Sequence, residues 1–371
     1  MVTSLRIALI PPLWAKVAPG TAGGVEYMVH LLADGLVARG HAVTVFTSRD
    51  SSTKASLVSL CDYNMIEAME RGLAWEYEYY EMSNIARALT CSSNFDVIHM
   101  HVGAYAIPLG ELSSAPVLHT LHNPVTRDAI WQLERNPDAH VTAVGHRQIA
   151  EIPERRRKSI QVIHNACDFA AFEFSPGPGR YLAFLGRMGP EKAPHLAIEI
   201  ARQAGWPIVL AGMPLDDSER AYFAEKVQPL VDGQNVAYIG PVNHVQKSAF
   251  LRDAAALLFP VQGEEAFGLV MIEAMACGTP VIAWHRSSVA EVVDGGKTGY
   301  YGDSIEELVK LVPNALALDR FLVRQVAQTR YSSERMVEEY LEAYCTVLNA
   351  GDRNPHTNSS PKGVRRTQCA S

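Results

Sequence analysis

The sequence is notable first for what is missing. Its six cysteines, Cys61, Cys91, Cys167, Cys277, Cys345 and Cys369, form no CxxC pair and join no histidine at metal-ligand spacing. A disulfide framework and a zinc site are therefore not expected, and the thiols suit a reducing cytosol. No apolar run reaches the roughly 18 to 20 residues a spanning helix needs. The opening MVTSLRIALIPPLWAKV has a short apolar stretch of the kind found in signal peptides, but Pro11-Pro12 interrupts it. Arg6–Ile10 reads better as a first buried strand. Surplus positive charge is absent too: the net charge is -7 and the pI is near 6.0, which argues against nucleic acid as a partner. No period of roughly 20 to 50 residues marks a solenoid. The expectation is a soluble, cytoplasmic protein, and 371 residues exceed what one core usually supports.

What is present is alternation. RIALI (6–10), HAVTVFTS (41–48), FDVIHMHV (95–102), PVLHTLH (116–122) and HVTAV (140–144) read as strands. Val25, Met28, Val29, Leu32 and Leu36 recur at helical spacing between the first two, and 62–90 has a helical pattern. The pattern pauses at FEFSPGPGR (172–180), a Pro- and Gly-marked linker, then restarts with YLAFLG, PIVLAG, VAYIG, AALLF and TPVIAW. Strands alternating with helices indicate parallel sheets covered on both faces. The expected organisation is a domain over 1–170, a second over 171–332, an amphipathic helix over 333–350, and a disordered polar tail over 351–371. In such sheets ligands bind beyond the carboxyl ends of strands, at switch points in strand order.

Three segments sit in such places. After AALLF, a loop carries Glu264-Glu265 and a helix begins near Phe267-Gly268, running through Glu273 to a C-cap at Gly278. Its first amides have no intrahelical partner and its dipole is positive there, so it can receive an anion. Carboxylates at Glu265 and Glu273 can accept hydrogen bonds from hydroxyls. The bare pattern fits equally an ordinary helix with one capping acid and one solvated Glu. After YLAFLG comes GRMGPEKAP (186–194), whose Arg187 and Lys192 alone would usually be solvated charges. After the first strand comes GTAGGVE (20–26), with too long a spacer for a dinucleotide fingerprint.

Together these segments resemble the family 4 glycosyltransferases, retaining enzymes of the GT-B fold. EAFGLVMIE (265–273) resembles the family's E-x7-E motif and GRMGPEKAP its G-R-x-x-P-E-K-G segment, with Ala193 at the last Gly. The resemblance implies an α/β fold of two Rossmann-like doubly wound domains across a cleft, with the C-terminal helix crossing back to the N-terminal domain. It assigns Glu265 to donor-sugar hydroxyls, the backbone of Phe267, Gly268, Leu269 and Val270 to sugar and diphosphate, and Glu273 to the ribose. Arg187 and Lys192 would grip the diphosphate, Gly23-Gly24 would face it from the first domain, and His122 would stand near the transferred sugar and acceptor. For His122 a packing role stays open; for His99, His101 and His119 packing is favoured. The hinge-like IQVIHNACD carries His164 and Ala166 in place of Pro and Gly, and RSSVAE (286–291) departs from G-G-x-P-E but retains Glu291. YIGPVN (238–243) corresponds to the strand and loop bordering the base.

The function so implied is a hexosyltransferase using a nucleotide-sugar, UDP-hexose by family frequency, with retention at a hydroxyl acceptor. No metal or other cofactor is required. The acceptor (lipid, glycan or small metabolite) is not legible. A same-fold epimerase or phosphorylase and a non-catalytic two-domain sugar-binding protein are the alternatives. The basic run Arg155–Lys158 reads as a solvated helix end, and peripheral membrane contact stays open. Asp216-Asp217 marks a helix N-cap, not a metal site.

Overall fold

A computed structural model describes residues 4–21 and 23–351. The expected disordered tail lies outside them, apart from the helix end at Gly351. The chain folds into two compact units. Unit 1 comprises residues up to Val144, Ile149–Ile163 and the chain from Ser333; unit 2 comprises Gly145–Gln148 and His164–Ser332. The Pro- and Gly-rich segment 172–180 belongs to unit 2, where Arg180 N–H donates to Asp253 O and Arg320 Nε to Ser175 O.

Unit 1 is a seven-stranded, wholly parallel sheet. Its strands are β1 (Arg6–Ile10), β2 (Ala42–Phe46), β3 (Ser56–Val58), β4 (Val97–Met100), β5 (Val117–Leu121), β6 (His140–Ala143) and β7 (Gln161–Val162). They lie in the order β3-β2-β1-β4-β5-β6-β7. Central β4 and β5 are buried along their whole length, the run expected of a sheet covered on both faces. The order reverses between β1 and β4, which is the switch point of this unit.

The helical stretch expected over 62–90 is two helices, α2 (Met65–Glu70) and α3 (Tyr77–Thr90), after α1 (Gly24–Ala38). Gly72 stops α2 by adopting φ +68, and Leu73 N–H turns back to Ala68 O at 2.8 Å. The run 154–158 also differs from expectation. It forms a single turn, α5 (Glu154–Arg157), in which Arg156 is buried and donates to Ser159 Oγ and Ala139 O. Between it and α3 lies α4 (Arg127–Arg135).

Unit 2 repeats the plan with six parallel strands. These are β8 (Tyr181–Leu185), β9 (Ile208–Ala211), β10 (Val236–Tyr238), β11 (Ala254–Phe259), β12 (Val281–Trp284) and β13 (Gly299–Gly302), in the order β10-β9-β8-β11-β12-β13. Here the switch point falls between β8 and β11. Helices α6 (Pro194–Gln203) and α11 (Ile305–Leu316) pack together against the sheet through Ala197, Ile198, Ala201, Leu308 and Val312. Helices α8 (His244–Asp253) and α9 (Leu269–Ala276) form a second packed pair, with α12 (Arg320–Tyr331) over α9. Short α7 (Asp217–Tyr222) is capped by Asp216, whose carboxylate accepts from Glu219 N–H, and α10 (Val289–Val292) is a single turn.

The last helix, α13 (Ser333–Gly351), belongs to unit 1. Its buried stripe is Met336, Val337, Tyr340, Tyr344 and Val347. Val337 fills the space a Cβ would need at Gly35, so α1 and α13 approach closely there. Arg39 closes the rim with Glu338 at 2.7 Å.

Candidate functional site

In unit 2 the two loops that leave the switch-point strands are joined by backbone. Gln262 and Gly263 N–H both donate to Glu191 O, at 2.7 and 3.1 Å, so the β8–α6 and β11–α9 loops form one surface. Side chains reinforce the join: Lys192 pairs with Glu265. Arg187 donates to Glu219 at 2.8 Å and reaches Glu191 at 3.3 Å, and Glu219 is fixed by Leu215 N–H. Lys192 and Glu265, distant in sequence, thus meet where a doubly wound sheet receives its ligand, and Arg187 stands in the same loop as Lys192.

Helix α9 starts at this surface. Its N-cap, Gly268, has φ +85 and no capping side chain, so no side chain of its own occupies the helix's first amides. A Cβ there would press on Met271 and Phe259, a second reason for glycine. Phe267 is buried, edge-on to Tyr331 at 5.7 Å, and what it offers the site is backbone. Leu269 and Val270 are half-buried. Glu273 lies one turn further in, buried and paired with Lys247 of α8. Lys247 had no signal in the sequence, because its only distinction is that pairing. The YIGPVN loop ends in Asn243, which caps α8 in a reciprocal box with Gln246.

A cavity of about 630 Å³ opens beside the Glu265 loop, lined among others by Gly263, Glu264, Arg286, Ser287 and Glu291. That is within the range of small-molecule sites. Glu291 is an organiser here. Burial would raise its pKa, but hydrogen bonds from His164 Nε2 (2.6 Å) and the amides of His146 and Arg147 (2.8 and 3.1 Å) hold it down to about 2. Among the described residues, His146, His164 and Glu291 bring metal-ligand atoms within 4.8 Å. Both carboxylate oxygens already accept these hydrogen bonds, so the trio reads as an anchored carboxylate. The retained Glu in RSSVAE was the sequence signal for it.

In unit 1 the switch-point strands deliver different chemistry. Gly23 is the N-cap of α1, and a Cβ there would collide with the Glu26 carboxylate and Ala15. Glu26 is buried and accepts from Ala15 N–H at 2.9 Å, tying the loop after β1 to the helix. Burial pushes its carboxyl up to about 7. Beyond β5, half-buried His122 meets His101 beyond β4, Nε2 to Nδ1 at 2.9 Å. The His101 ring lies tilted against His99 at 3.8 Å, and His99 bonds Thr120 and Tyr344 at 2.7 and 2.8 Å. Burial lowers the pKa of His122 to about 4 and keeps His101 and His99 well below the ordinary value, so the row is neutral at neutral pH. His99, His101 and His119 are core residues, and His122 is the more accessible end of the row.

Comparison with known proteins gives the same picture along the chain. The model described as Glycosyltransferase Family 4 matches residues 22–171, and that described as Glycosyl transferases group 1 matches 169–332. The D-inositol 3-phosphate glycosyltransferase of Mycolicibacterium smegmatis is 25% identical over 98% of both chains. Sucrose-phosphate synthase from Thermosynechococcus elongatus has the same fold, with a TM-score of 0.73 over 93% of this chain and 100% of its own at 19% identity. Anabaena Alr3699/HepE, solved with UDP and glucose, gives 0.69 over 91% and 98% at 18% identity. Among the described residues no helix is long and apolar enough to cross a membrane. With adjoining family models running from one unit into the other and relatives matched along nearly their full length, this chain belongs to the family 4 glycosyltransferases, enzymes of the GT-B fold.

Proposed function

We propose that the enzyme transfers a hexose from a nucleotide-sugar, UDP-hexose in the first instance, to a hydroxyl acceptor with retention of configuration. The observation that carries this is the pairing of Lys192 with Glu265 where the β8–α6 and β11–α9 loops join ahead of the uncapped start of α9, with Arg187 held in the first of these loops by Glu219 and Glu191. A departing nucleoside diphosphate carries about two negative charges and needs preorganised positive charge as they develop. Lys192, Arg187 and the α9 amides supply it, so the reading calls for no metal. When diphosphate engages Lys192, the Glu265 carboxylate is released to accept from sugar hydroxyls. Glu273, held by Lys247, presents its remaining acceptor capacity to the ribose. His122, neutral and supported by His101, acts on the acceptor side, and unit 1 takes the acceptor. Anabaena Alr3699/HepE, similar in fold, was solved with UDP and with UDP-glucose, which supports the choice of donor.

The test is a thermal-shift panel of UDP, GDP, ADP and dTDP sugars on wild type and Glu273→Ala. At least one UDP-sugar is expected to raise the wild-type melting temperature, with the rise lost in the variant. If no nucleotide-sugar stabilises wild type, the donor reading fails.

A further inference from the structure

Among the described residues only two non-glycine residues have left-handed backbone, Ala193 (φ 51) and Ser287 (φ 49). In that conformation a Cβ crowds the following carbonyl, and glycine would remove the conflict. Counted back from Glu291, Ser287 stands at the first glycine of the G-G-x-P-E pattern, so this chain places a strained side chain where none is needed for the turn. What that side chain does is visible. Ser287 Oγ accepts from Glu265 N–H at 3.1 Å, and its proton is within reach of Glu264 Oε2 at 3.3 Å and Gly263 O at 3.4 Å. Its neighbour Ser288 donates to Phe267 O at 2.7 Å. Two successive hydroxyls therefore hold the 263–267 segment at both ends, and Ser287 also lines the cavity of about 630 Å³.

We propose that Ser287 is a positioning residue that sets the Glu265 carboxylate for the donor sugar and so tunes which hexose is accepted. This rests on the reading that Glu265 holds the sugar. Because the hydrogen bonds of Ser287 go to the 263–265 loop and not to Lys192 or α9, its effect falls on the sugar and spares the nucleotide.

The test uses the full-length enzyme, Ser287→Gly and Ser287→Ala. Three readouts are compared: melting temperature, Kd for UDP alone, and KM and kcat for hydrolysis of UDP-glucose, UDP-galactose and whichever UDP-hexose best stabilises wild type. Ser287→Gly loses the hydroxyl but also the strain, so its melting temperature is expected at or above wild type. UDP Kd should stay within about twofold while KM rises by roughly fivefold to tenfold, the worth of about one hydrogen bond. Ser287→Ala keeps the strain and should melt below Ser287→Gly with the same rise in KM. Wild-type KM and hexose preference in Ser287→Gly overturn the proposal, as does a rise confined to Ser287→Ala. A parallel loss of UDP binding also overturns it, because the hydroxyl would then serve the fold generally. If wild type binds no nucleotide-sugar, the donor reading itself fails and this proposal falls with it; if wild type binds and Ser287→Gly matches it, only the Ser287 assignment fails.

Discussion

Replacing Glu26 by Gln should make unit 1 more stable, and only at neutral to alkaline pH. Glu26 is 3% exposed on α1, and burial lifts its pKa from 4.5 to about 7 against the lowering effect of the Ala15 amide; Glu81 adds to the rise. A carboxyl whose folded pKa exceeds its unfolded value binds its proton more tightly when folded. Its stabilising contribution is complete below about pH 4.5 and is lost as pH rises through 7. A shift of about 2.5 units at roughly 1.4 kcal/mol each amounts to about 3 kcal/mol. Gln keeps an acceptor for Ala15 N–H and never ionises. Glu26→Gln is therefore expected to match wild type within about 1 kcal/mol at pH 5 and to exceed it by about 3 kcal/mol at pH 8. Two units need not unfold together, so the measurement should be specific to unit 1, for instance hydrogen exchange of β1 and α1 amides across that pH range. A constant offset between the two proteins, or a variant less stable at pH 8, would refute the buried-carboxylate account.

Three further outcomes follow from the same structure. Arg187→Ala and Lys192→Ala should each abolish transfer while the fold survives; near-wild-type turnover in either, with far-UV circular dichroism unchanged, would sink the diphosphate assignment. Arg320 is buried and donates to Ser175 O, Ala254 O, Arg252 O and Thr279 Oγ1 at 2.7 to 2.9 Å. Arg320→Leu should lower the stability of unit 2 by about 3 to 5 kcal/mol in urea unfolding, since two buried and two part-buried acceptors lose their donor, and a loss under about 1 kcal/mol would contradict this. Burial holds His119 at about 3 and His122 at about 4. A histidine with a lowered folded pKa stabilises fully above its unfolded value and loses that contribution as pH falls below about 6.5, so unit 1 should weaken steadily from there to pH 4. His119→Gln should flatten that limb of the urea midpoint, and an unchanged slope would show the titration lies elsewhere.

How much of this could be read from the chain alone depends on how local the cause is. Central strands such as β4, β5 and β11 are short runs dominated by apolar residues, and a run is a property of neighbouring residues. The Asp216 N-cap, the Gly278 stop at φ +80 and the α13 stripe are equally local, and each was legible. The helix break at Gly72 was not legible, since only its left-handed φ distinguishes it from a tolerated helix glycine. Three of the four edge strands were not legible either. β3 (SLV), β7 (QV) and β13 (GYYG) are too short to show a period and exist because a neighbouring strand offers its edge. The identity of the site residues came from motif resemblance, but their partners did not. Lys192 with Glu265, Lys247 with Glu273 and His164 with Glu291 are separated by 73, 26 and 127 positions; the adjacency of β8 and β11 brings the first pair together and the packing of α8 on α9 the second. Burial is likewise a product of the whole unit, so the neutral histidine row, the raised pKa of Glu26 and the buried Arg156 had no local signature. The sequence by itself determined where the chain alternates and which loops carry charge. Tertiary packing decided which of those charges are paired and which titrate, because both depend on atoms contributed from far along the chain.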